Sequence, residues 1–301
     1  MPELPDIEAY VHALRPRILE RRITRIRVYS PFVLRSFEPE IGCAEGKLVV
    51  GLRRIGKRIV LALEGELFLV IHLMIAGRLR WYGPEGSSSG PGRKLSLCSI
   101  GFENGTLWLT EAASKKRASL TLVEGEEALA SLDPGGLEVL TCSPEAFSSA
   151  LLKSNRTLKR ALTDPRTFSG IGNAYSDEIL HAARLSPVRL TRALTGEEIE
   201  RLFEACRRVL ELWSGRLRAQ FHEKFPGAGE ITAFREGFAV HGRAGLPCPD
   251  CGAPVQRIRY AENETNYCAR CQNEGRLLAD RALSRLLKDD WPKTLEQMLG
   301  E

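Results

Sequence analysis

The sequence contains no apolar run long enough to cross a bilayer, and its N-terminus lacks the basic segment and apolar stretch of a secretory signal. These absences predict a cytoplasmic protein without a membrane partner. Positive charge is in small excess, because 43 Lys and Arg against 38 Asp and Glu give a formal net charge of +5. This balance permits a polyanionic partner without requiring one, because binding to nucleic acid depends on where the cations lie.

The chain has no internal repeat, and its 301 residues predict two domains with a small appendage. Apolar residues recur at helical spacing from Ile7 to Ile18, which predicts a first helix. Short β-rich segments follow, separated by turn signals, and they favour a β-sandwich or barrel. These segments cover residues 23–29, 47–55, 58–63, 67–73, 95–102, 107–110 and 118–123. Residues 83–92 are rich in Gly, Pro and Ser and predict a solvated hairpin tip.

The β-rich pattern ends at Asp133-Pro134-Gly135-Gly136, and the apolar periodicity is helical from residue 143 to 213. Residues 221–238 are rich in Gly and weakly patterned, which predicts a mobile loop. Residues 277–287 again have helical spacing, and a short final helix is expected after Pro292.

Half of the eight cysteines are scattered among apolar or mixed neighbours and are predicted to be small buried residues: Cys43, Cys98, Cys142 and Cys206. The other half form two CxxC pairs separated by sixteen residues: Cys248, Cys251, Cys268 and Cys271. Each pair places two thiolates on one knuckle, so that together they complete a tetrahedral shell for Zn²⁺. Redox cysteines are the alternative, but two regularly spaced pairs in a reducing compartment favour metal.

The segment between the two pairs fits a β-hairpin with its tip near Asn263. A ribbon of this size cannot fold without its metal, so the predicted zinc ion, one per chain, is structural.

The opening run Met1-Pro2-Glu3-Leu4-Pro5 contains a second candidate for chemistry. Removal of Met1 by an aminopeptidase turns Pro2 into a secondary amine, and α-amino groups titrate near pH 8. Such an amine attacks an aldehyde carbon and yields an iminium directly, an electron sink for elimination, with Glu3 as a candidate proton shuttle. The alternative is that Met-Pro is an ordinary protein start.

Phe168-Ser169-Gly170-Ile171-Gly172-Asn173 lies between a helix containing Lys159 and the next predicted helix. Its glycines allow a tight turn, and the exposed N–H groups of the new helix form an anion site. Asn173 can donate to a phosphate oxygen without reading base sequence. An ordinary helix connection is the alternative.

Lys57 lies in a basic turn between two predicted strands, where it is either solvated or directed at a phosphate. His72 ends a strongly apolar strand, where a partly buried, satisfied histidine is the usual explanation. The apolar loop that follows, with Ile75, is either core or a wedge that fills the space left by an extruded base.

Together these motifs resemble the formamidopyrimidine-DNA glycosylase / endonuclease VIII family, and its formamidopyrimidine branch in particular at the N-terminus. The resemblance covers nearly the whole chain and implies an α+β protein. Its parts are an N-terminal β-sandwich catalytic domain over residues 1–131, a helix-two-turn-helix domain over 145–238, a four-cysteine zinc-finger hairpin over 239–275 and a helical extension over 276–301.

The resemblance also implies a bifunctional glycosylase and abasic-site lyase of base excision repair. Pro2 would attack C1′ and Glu3 would shuttle protons through β,δ-elimination, with Lys57 as a third catalytic residue. DNA contacts are expected from His72, Ile75, Lys115, Lys159, Asn173 and Asn263. The implied partners of a monomer are damaged duplex DNA and abasic sites, with single-stranded or bubble DNA as further candidates.

Several positions depart from the family pattern. Ile75 stands where the formamidopyrimidine branch has a Met wedge, and Ala113 and Lys115 stand where an Arg and a Phe fill the void. Asn263 replaces a phosphate-clamping Arg. Poor discrimination of the opposite base is therefore expected. A non-catalytic damage-binding protein and a zinc-ribbon adaptor are the rival functions.

Overall fold

The structure is a computed structural model that describes residues 1–84, 90–92, 94–227, 229–260, 263–279, 286 and 292–300. It divides into two compact units. The first comprises Met1–Pro134 and Leu212–Thr232, and the second comprises Gly135–Glu211 and Ala233–Glu301.

Helix α1, Leu4–Ile18, opens the first unit. Its start follows from a capping box, in which the backbone N–H of Glu3 donates to Asp6 Oδ2 over 2.8 Å, and from the proline in its first turn. Arg15 and Arg17 lie in its last turn, where cations complement the helix dipole. The predicted first helix is present, and its apolar face is buried in the core of this unit.

The described part of this unit also contains eight strands: β1 Arg25–Val28, β2 Val49–Ile55, β3 Arg58–Leu63, β4 Leu67–His72, β5 Gly77–Tyr82, β6 Ser96–Phe102, β7 Gly105–Glu111 and β8 Ser119–Glu124. They make two antiparallel four-stranded sheets with the orders β1-β6-β7-β5 and β2-β3-β4-β8. A common apolar core with residues from both sheets gives the sandwich. A short helix α2, Glu126–Ala130, follows β8.

Strand β5 was not predicted from the sequence. The segment Gly-Arg-Leu-Arg-Trp-Tyr alternates Arg78 and Arg80 with Leu79 and Trp81, which is a strand pattern with only one fully buried side chain among the four. Its pairing with β7 over six residues completes the sheet. The predicted tip at 83–92 falls partly on residues 85–89, which lie outside the described residues.

The segment 221–238 contains no helix or strand in its described part, but three apolar side chains anchor it. Phe221 and Ile231 belong to the core of the first unit. Phe238 is buried in the second unit, with its ring edge-on to Tyr175 at 5.5 Å. Residues 212–232 therefore pack with the β-sandwich, although the sequence placed them in the helical domain 145–238.

The second unit contains helices α3 Pro144–Leu152, α4 Leu158–Thr163, α5 Asn173–Ala182 and the first part of α6 Gly196–Gln220. The hairpin of β9 Val255–Tyr260 and β10 Asn263–Cys268 follows, then α7 Ala269–Asn273. Ser143 starts α3 by accepting a hydrogen bond from the N–H of Ala146.

A last helix, Leu295–Leu299, begins after Thr294, whose hydroxyl accepts from the N–H of Gln297. It follows Pro292 as predicted, and Leu295 packs into the apolar cluster of the finger. The helix expected over 277–287 is not formed at residues 277–279, whereas Leu286 is helical. Residues 280–285 and 287 lie outside the described part. Within the described ranges, no helix combines the length and apolarity needed to cross a membrane.

Candidate active site and metal centre

Pro2 and Glu3 are buried at the start of α1, and Glu3 is 3% exposed. Burial lowers the pKa of the terminal amine at Met1, Arg78 and Lys57 lower it further, and Glu3 and Asp6 oppose them. An amine in this position loses its proton more readily than a solvated one. The environment at the N-terminus therefore suits a nucleophilic amine.

Lys57 lies in the turn between β2 and β3, and its neighbour Arg58 pairs with His72 on β4. Burial lowers the pKa of His72 to about 4, with Arg58 and Lys57 adding to the effect. At neutral pH His72 is therefore an uncharged imidazole, which can donate one hydrogen bond and accept another.

The depressed pKa of His72 predicts a pH dependence of stability. An unfolded histidine takes up a proton near pH 6.5, whereas folded His72 does so near pH 4. Between these values the unfolded state binds more protons, so the contribution is complete above pH 6.5 and is lost as pH falls towards 4. From pH 7 to pH 5, wild-type protein should lose about 2 kcal/mol more unfolding free energy than His72→Gln.

Urea unfolding at the two pH values measures this difference. His222→Gln, which changes an exposed histidine of the same unit, is the control and should follow the wild type. Equal losses in wild type and His72→Gln would contradict the assignment.

Ile75 and Lys115 lie on two loops of the first unit, after β4 and after β7. Ile75 is 50% exposed, so it does not belong to the core. The left-handed backbone of Met74 (φ 53°) turns the loop, whereas Gly77 is packed so tightly that a Cβ would approach Leu73 O to 2.3 Å.

Lys115 is exposed in the loop that carries Ala113. Glu111, 2% exposed at the end of β7, fixes this loop by accepting the N–H groups of Arg117 (2.8 Å) and Ala118 (3.0 Å). Glu111 was not predicted as a site residue. The only sequence signal that separates it from an ordinary surface glutamate is its position just before a basic loop.

Lys159 and Asn173 come together in the second unit. Lys159 Nζ donates to Asn173 O over 2.6 Å and to Asp177 Oδ1 over 2.5 Å. The lysine side chain is only 12% exposed. Lys159 is therefore held by α5 and fixes the start of that helix, instead of forming a solvated surface cation.

Asp177 is fully buried and is the centre of a polar network that the sequence analysis did not find. Besides Lys159, it accepts hydrogen bonds from His241 Nδ1 (2.7 Å) and from the backbone N–H of Asn266 (3.0 Å). These partners lie 64 and 89 residues along the chain, so no local motif indicates them.

The neighbouring Glu178 accepts three backbone N–H groups, from Ala239 (2.6 Å), Val240 (2.9 Å) and His241 (2.8 Å). Burial raises the pKa of Glu178, and the three N–H groups oppose this shift. The two adjacent carboxylates thus attach residues 239–241 and β10 to helix α5.

The predicted metal ligands Cys248, Cys251, Cys268 and Cys271 form one cluster, with their sulfurs within 4.8 Å of one another. Two of the Sγ–Sγ distances are 3.9 Å (Cys248 to Cys271) and 3.4 Å (Cys251 to Cys268). Tetrahedral zinc with four sulfur ligands and bonds of about 2.3 Å needs sulfurs about 3.8 Å apart. Burial raises the pKa of Cys268. At Cys251 burial acts in the same direction, but hydrogen bonds from Ala253 and the other thiols outweigh it and lower the pKa. A bound cation would stabilise the thiolate form of all four. The residues fit a structural zinc ion.

The surroundings of the cluster also fit a metal site. His181 on α5 places Nε2 3.3 Å from Cys248 Sγ, where an N–H group can donate to a thiolate.

Asn263 is the first residue of β10 and pairs with Tyr260 at the end of the hairpin, where the sequence placed the tip.

The architecture is that of a three-module protein: a β-sandwich, a helical unit with a tight two-glycine turn, and a four-cysteine finger. Residues 1–134 match the formamidopyrimidine-DNA glycosylase N-terminal domain and residues 136–213 match its H2TH domain. Residues 245–273 match the zinc finger found in FPG and IleRS. The chain belongs to the formamidopyrimidine-DNA glycosylase family, which confirms the resemblance and the fold class inferred from its sequence.

Individual relatives cover most of the chain. The formamidopyrimidine-DNA glycosylase of Thermus thermophilus is 36% identical over 91% of this chain and 100% of its own length. That of Moorella thermoacetica is 34% identical over 86% of this chain and 95% of its own length.

Solved structures share the fold. The crystal structure of the MutM (Fpg) protein from T. thermophilus has a TM-score of 0.73 and 32% identity, covering 91% of this chain and 100% of its own. The Lactococcus lactis enzyme, non-covalently bound to DNA containing an AP site, has a TM-score of 0.76 and 25% identity, covering 90% and 99%.

Proposed function

We propose that this protein is a bifunctional DNA glycosylase and abasic-site lyase that removes oxidised bases from DNA. The observation that carries the proposal is the burial of Pro2 and Glu3 at the start of α1, where burial lowers the pKa of the terminal amine, carried here by Met1, against the opposing charge of Glu3. Family membership supports the glycosylase, and DNA in the L. lactis structure supports a nucleic-acid partner. A chromosomal substrate agrees with the expected cytoplasmic location.

In the proposed reaction, removal of Met1 exposes the nitrogen of Pro2, which attacks C1′ of the damaged nucleotide. The base leaves with the electron pair of the glycosidic bond, and the attached nitrogen passes its proton to Glu3. Glu3 then protonates the ring oxygen O4′ as the C1′–O4′ bond breaks and the sugar opens. The product is an iminium between Pro2 and C1′. Loss of a proton from C2′ then expels the 3′ phosphate, and a second elimination expels the 5′ phosphate.

Phosphate binding is assigned to residues of both units. In the first unit, Lys57 supplies a cation and neutral His72 a hydrogen-bond donor. In the second, Asn173 begins α5, whose first N–H groups are suited to bind a phosphate, and Lys159 holds that turn in place. Asn263 would bind the strand through an uncharged amide. These contacts position the DNA backbone without reading its sequence.

The void left by an extruded nucleotide would be filled poorly. Exposed Ile75 is the available apolar wedge, and Lys115 in the second loop is a solvated cation and not a stacking ring. Loss of a stacked aromatic removes about 1–3 kcal/mol per base. We therefore infer weak dependence on the opposite base, with single-stranded, bubble or pyrimidine lesions among the substrates.

Borohydride trapping tests this function. Zinc-loaded protein, with Met1 shown by mass spectrometry to be removed, should form a covalent complex with abasic DNA when borohydride reduces the iminium. The same reaction without borohydride should yield strands ending in phosphate on both sides of the gap. No adduct and no cutting, together with a normal footprint on abasic DNA, would leave a damage-binding protein as the function.

A panel of duplexes tests the substrate range. Thymine glycol, 5-hydroxycytosine and 8-oxoguanine, each placed opposite all four bases, should be cut with little dependence on the opposite base. Cutting of 8-oxoguanine opposite C far above every other duplex would contradict the inferred range.

A further inference from the structure

The outer face of the sheet β1-β6-β7-β5 carries a row of aromatic and basic side chains. Strand pairing aligns Arg27 with Ser99, Ser99 with Trp108, and Trp108 with Arg80. Residues directly opposite on antiparallel strands share a face, so these four form one row across the sheet. The next row, one pleat away, is Arg25, Gly101, Thr106 and Tyr82.

A supported aromatic ring stands on this face. The rings of Tyr29 and Trp108 stack with centroids 5.4 Å apart and planes 10° from parallel. The hydroxyl of Tyr29 lies 3.3 Å from Ser99 Oγ, which fixes the other end of the ring. Tyr29 nevertheless remains 40% exposed. It is a rigid platform with part of its surface in solvent.

The platform borders a groove of about 370 Å³. The groove is lined by Arg25, Arg27, Tyr29, Gly101, Thr106 and Trp108, among others.

Arg25 and Arg27 are exposed. Across the described ranges neither guanidinium takes part in an ion pair. On the far side of the row, Arg80 Nε is buried without a hydrogen-bond partner in the same part of the chain. The nearby carboxylate of Glu45 accepts the backbone N–H of Ile26 over 2.7 Å and makes no ion pair with either arginine. Two arginines without ion pairs beside a stacked aromatic pair are complementary to a ligand with both phosphates and rings.

We propose that this sheet face is a second nucleic-acid site, which binds single-stranded DNA with one base on Tyr29 and adjacent phosphates on Arg25 and Arg27. A base can lie on a tyrosine ring only when it is unpaired and unstacked, which favours a single strand over a duplex. None of these residues belongs to the proposed catalytic set, so the site goes beyond the proposed function.

The test measures binding of a fluorescein-labelled, undamaged twelve-nucleotide oligo(dT) by anisotropy. Tyr29→Ala should weaken binding about tenfold, within the range measured for stacking of one base on an aromatic side chain. Phe32→Ala removes another aromatic of the first unit, 80% exposed and outside the groove, and should leave the affinity unchanged.

The role of the two arginines is tested by the salt dependence of oligo(dT) binding. For single strands, the slope of log K against log salt becomes shallower by about 0.7 for each phosphate that the protein no longer neutralises, so Arg25→Ala/Arg27→Ala should reduce it by about 1.4. Arg21→Ala, an exposed arginine outside the groove, is the control. An unchanged slope, or the same change in the control, overturns the proposal.

Three further outcomes separate this site from the proposed catalytic site. If the variants weaken binding of an undamaged duplex as much as binding of oligo(dT), the single-strand assignment is wrong. Cutting of abasic duplex by the same variants should equal that of wild type, which supports a separate site. Failure of the wild type itself to cut would count against the proposed catalysis without changing the oligo(dT) result.

Discussion

Protein in which one leucine is inserted between Met1 and Pro2 is expected to cut abasic DNA at least about 10⁴-fold more slowly than processed wild type. The insertion keeps the proline ring but leaves its nitrogen in a tertiary amide. The lone pair of an amide is delocalised and cannot attack C1′. Removal of a covalent nucleophile costs rate on this scale in enzymes. Single-turnover cutting, with borohydride trapping in parallel, measures the effect.

Two further variants distinguish the contribution of the amine from that of the residues around it. Glu3→Gln keeps the amine and should still give the trapped adduct, but about 10²–10⁴-fold more slowly, the range for loss of a general acid–base group. Pro5→Ala changes a proline in the first turn of α1 and should cut like wild type. Undiminished cutting by the insertion variant would show that another group forms the intermediate.

The sequence predicted those parts of the fold whose signals are local. Strands β3 and β4 are nearly continuous apolar runs, and the observed bounds differ from the predicted ones by no more than one residue. Strand β5 was missed because Arg78 and Arg80 break its hydrophobic signal. These arginines lie on the outer face of a sheet whose inner face is buried, which only the pairing with β7 reveals.

The site residues also differ in whether a local sequence signal predicts them. The four-cysteine cluster was predicted from spacing alone, because metal chemistry fixes both the residue type and the interval. The network around Asp177 was not predicted, because its partners His241 and Asn266 are distant in sequence and are ordinary polar residues by composition. These residues stabilise the unit because they are buried and hydrogen-bonded to one another. No local sequence pattern indicates that a polar residue will be buried.

Asp177→Asn is expected to lower the unfolding free energy of the second unit by about 3–5 kcal/mol. The substitution conserves size and removes the charge, which leaves the nearly buried ammonium of Lys159 without its counterion. It also weakens the bonds from His241 and Asn266. Urea unfolding of the zinc-loaded protein, followed by circular dichroism, measures the loss. Glu211→Gln, which breaks an exposed ion pair with Arg207, is the control and should cost less than about 1 kcal/mol.

The double variant Asp177→Asn/Lys159→Met shows whether this cost comes from an unpaired charge. With the ammonium removed, the neutral amide at 177 can remain hydrogen-bonded to His241 and Asn266, so the double variant should be more stable than Asp177→Asn alone. Additive losses would mean that Lys159 and Asp177 are not coupled. In that case Lys159 would be available to a phosphate without disturbing α5. A recovered stability would instead mean that Lys159 and Asp177 are coupled and that the lysine serves to hold the first turn of α5.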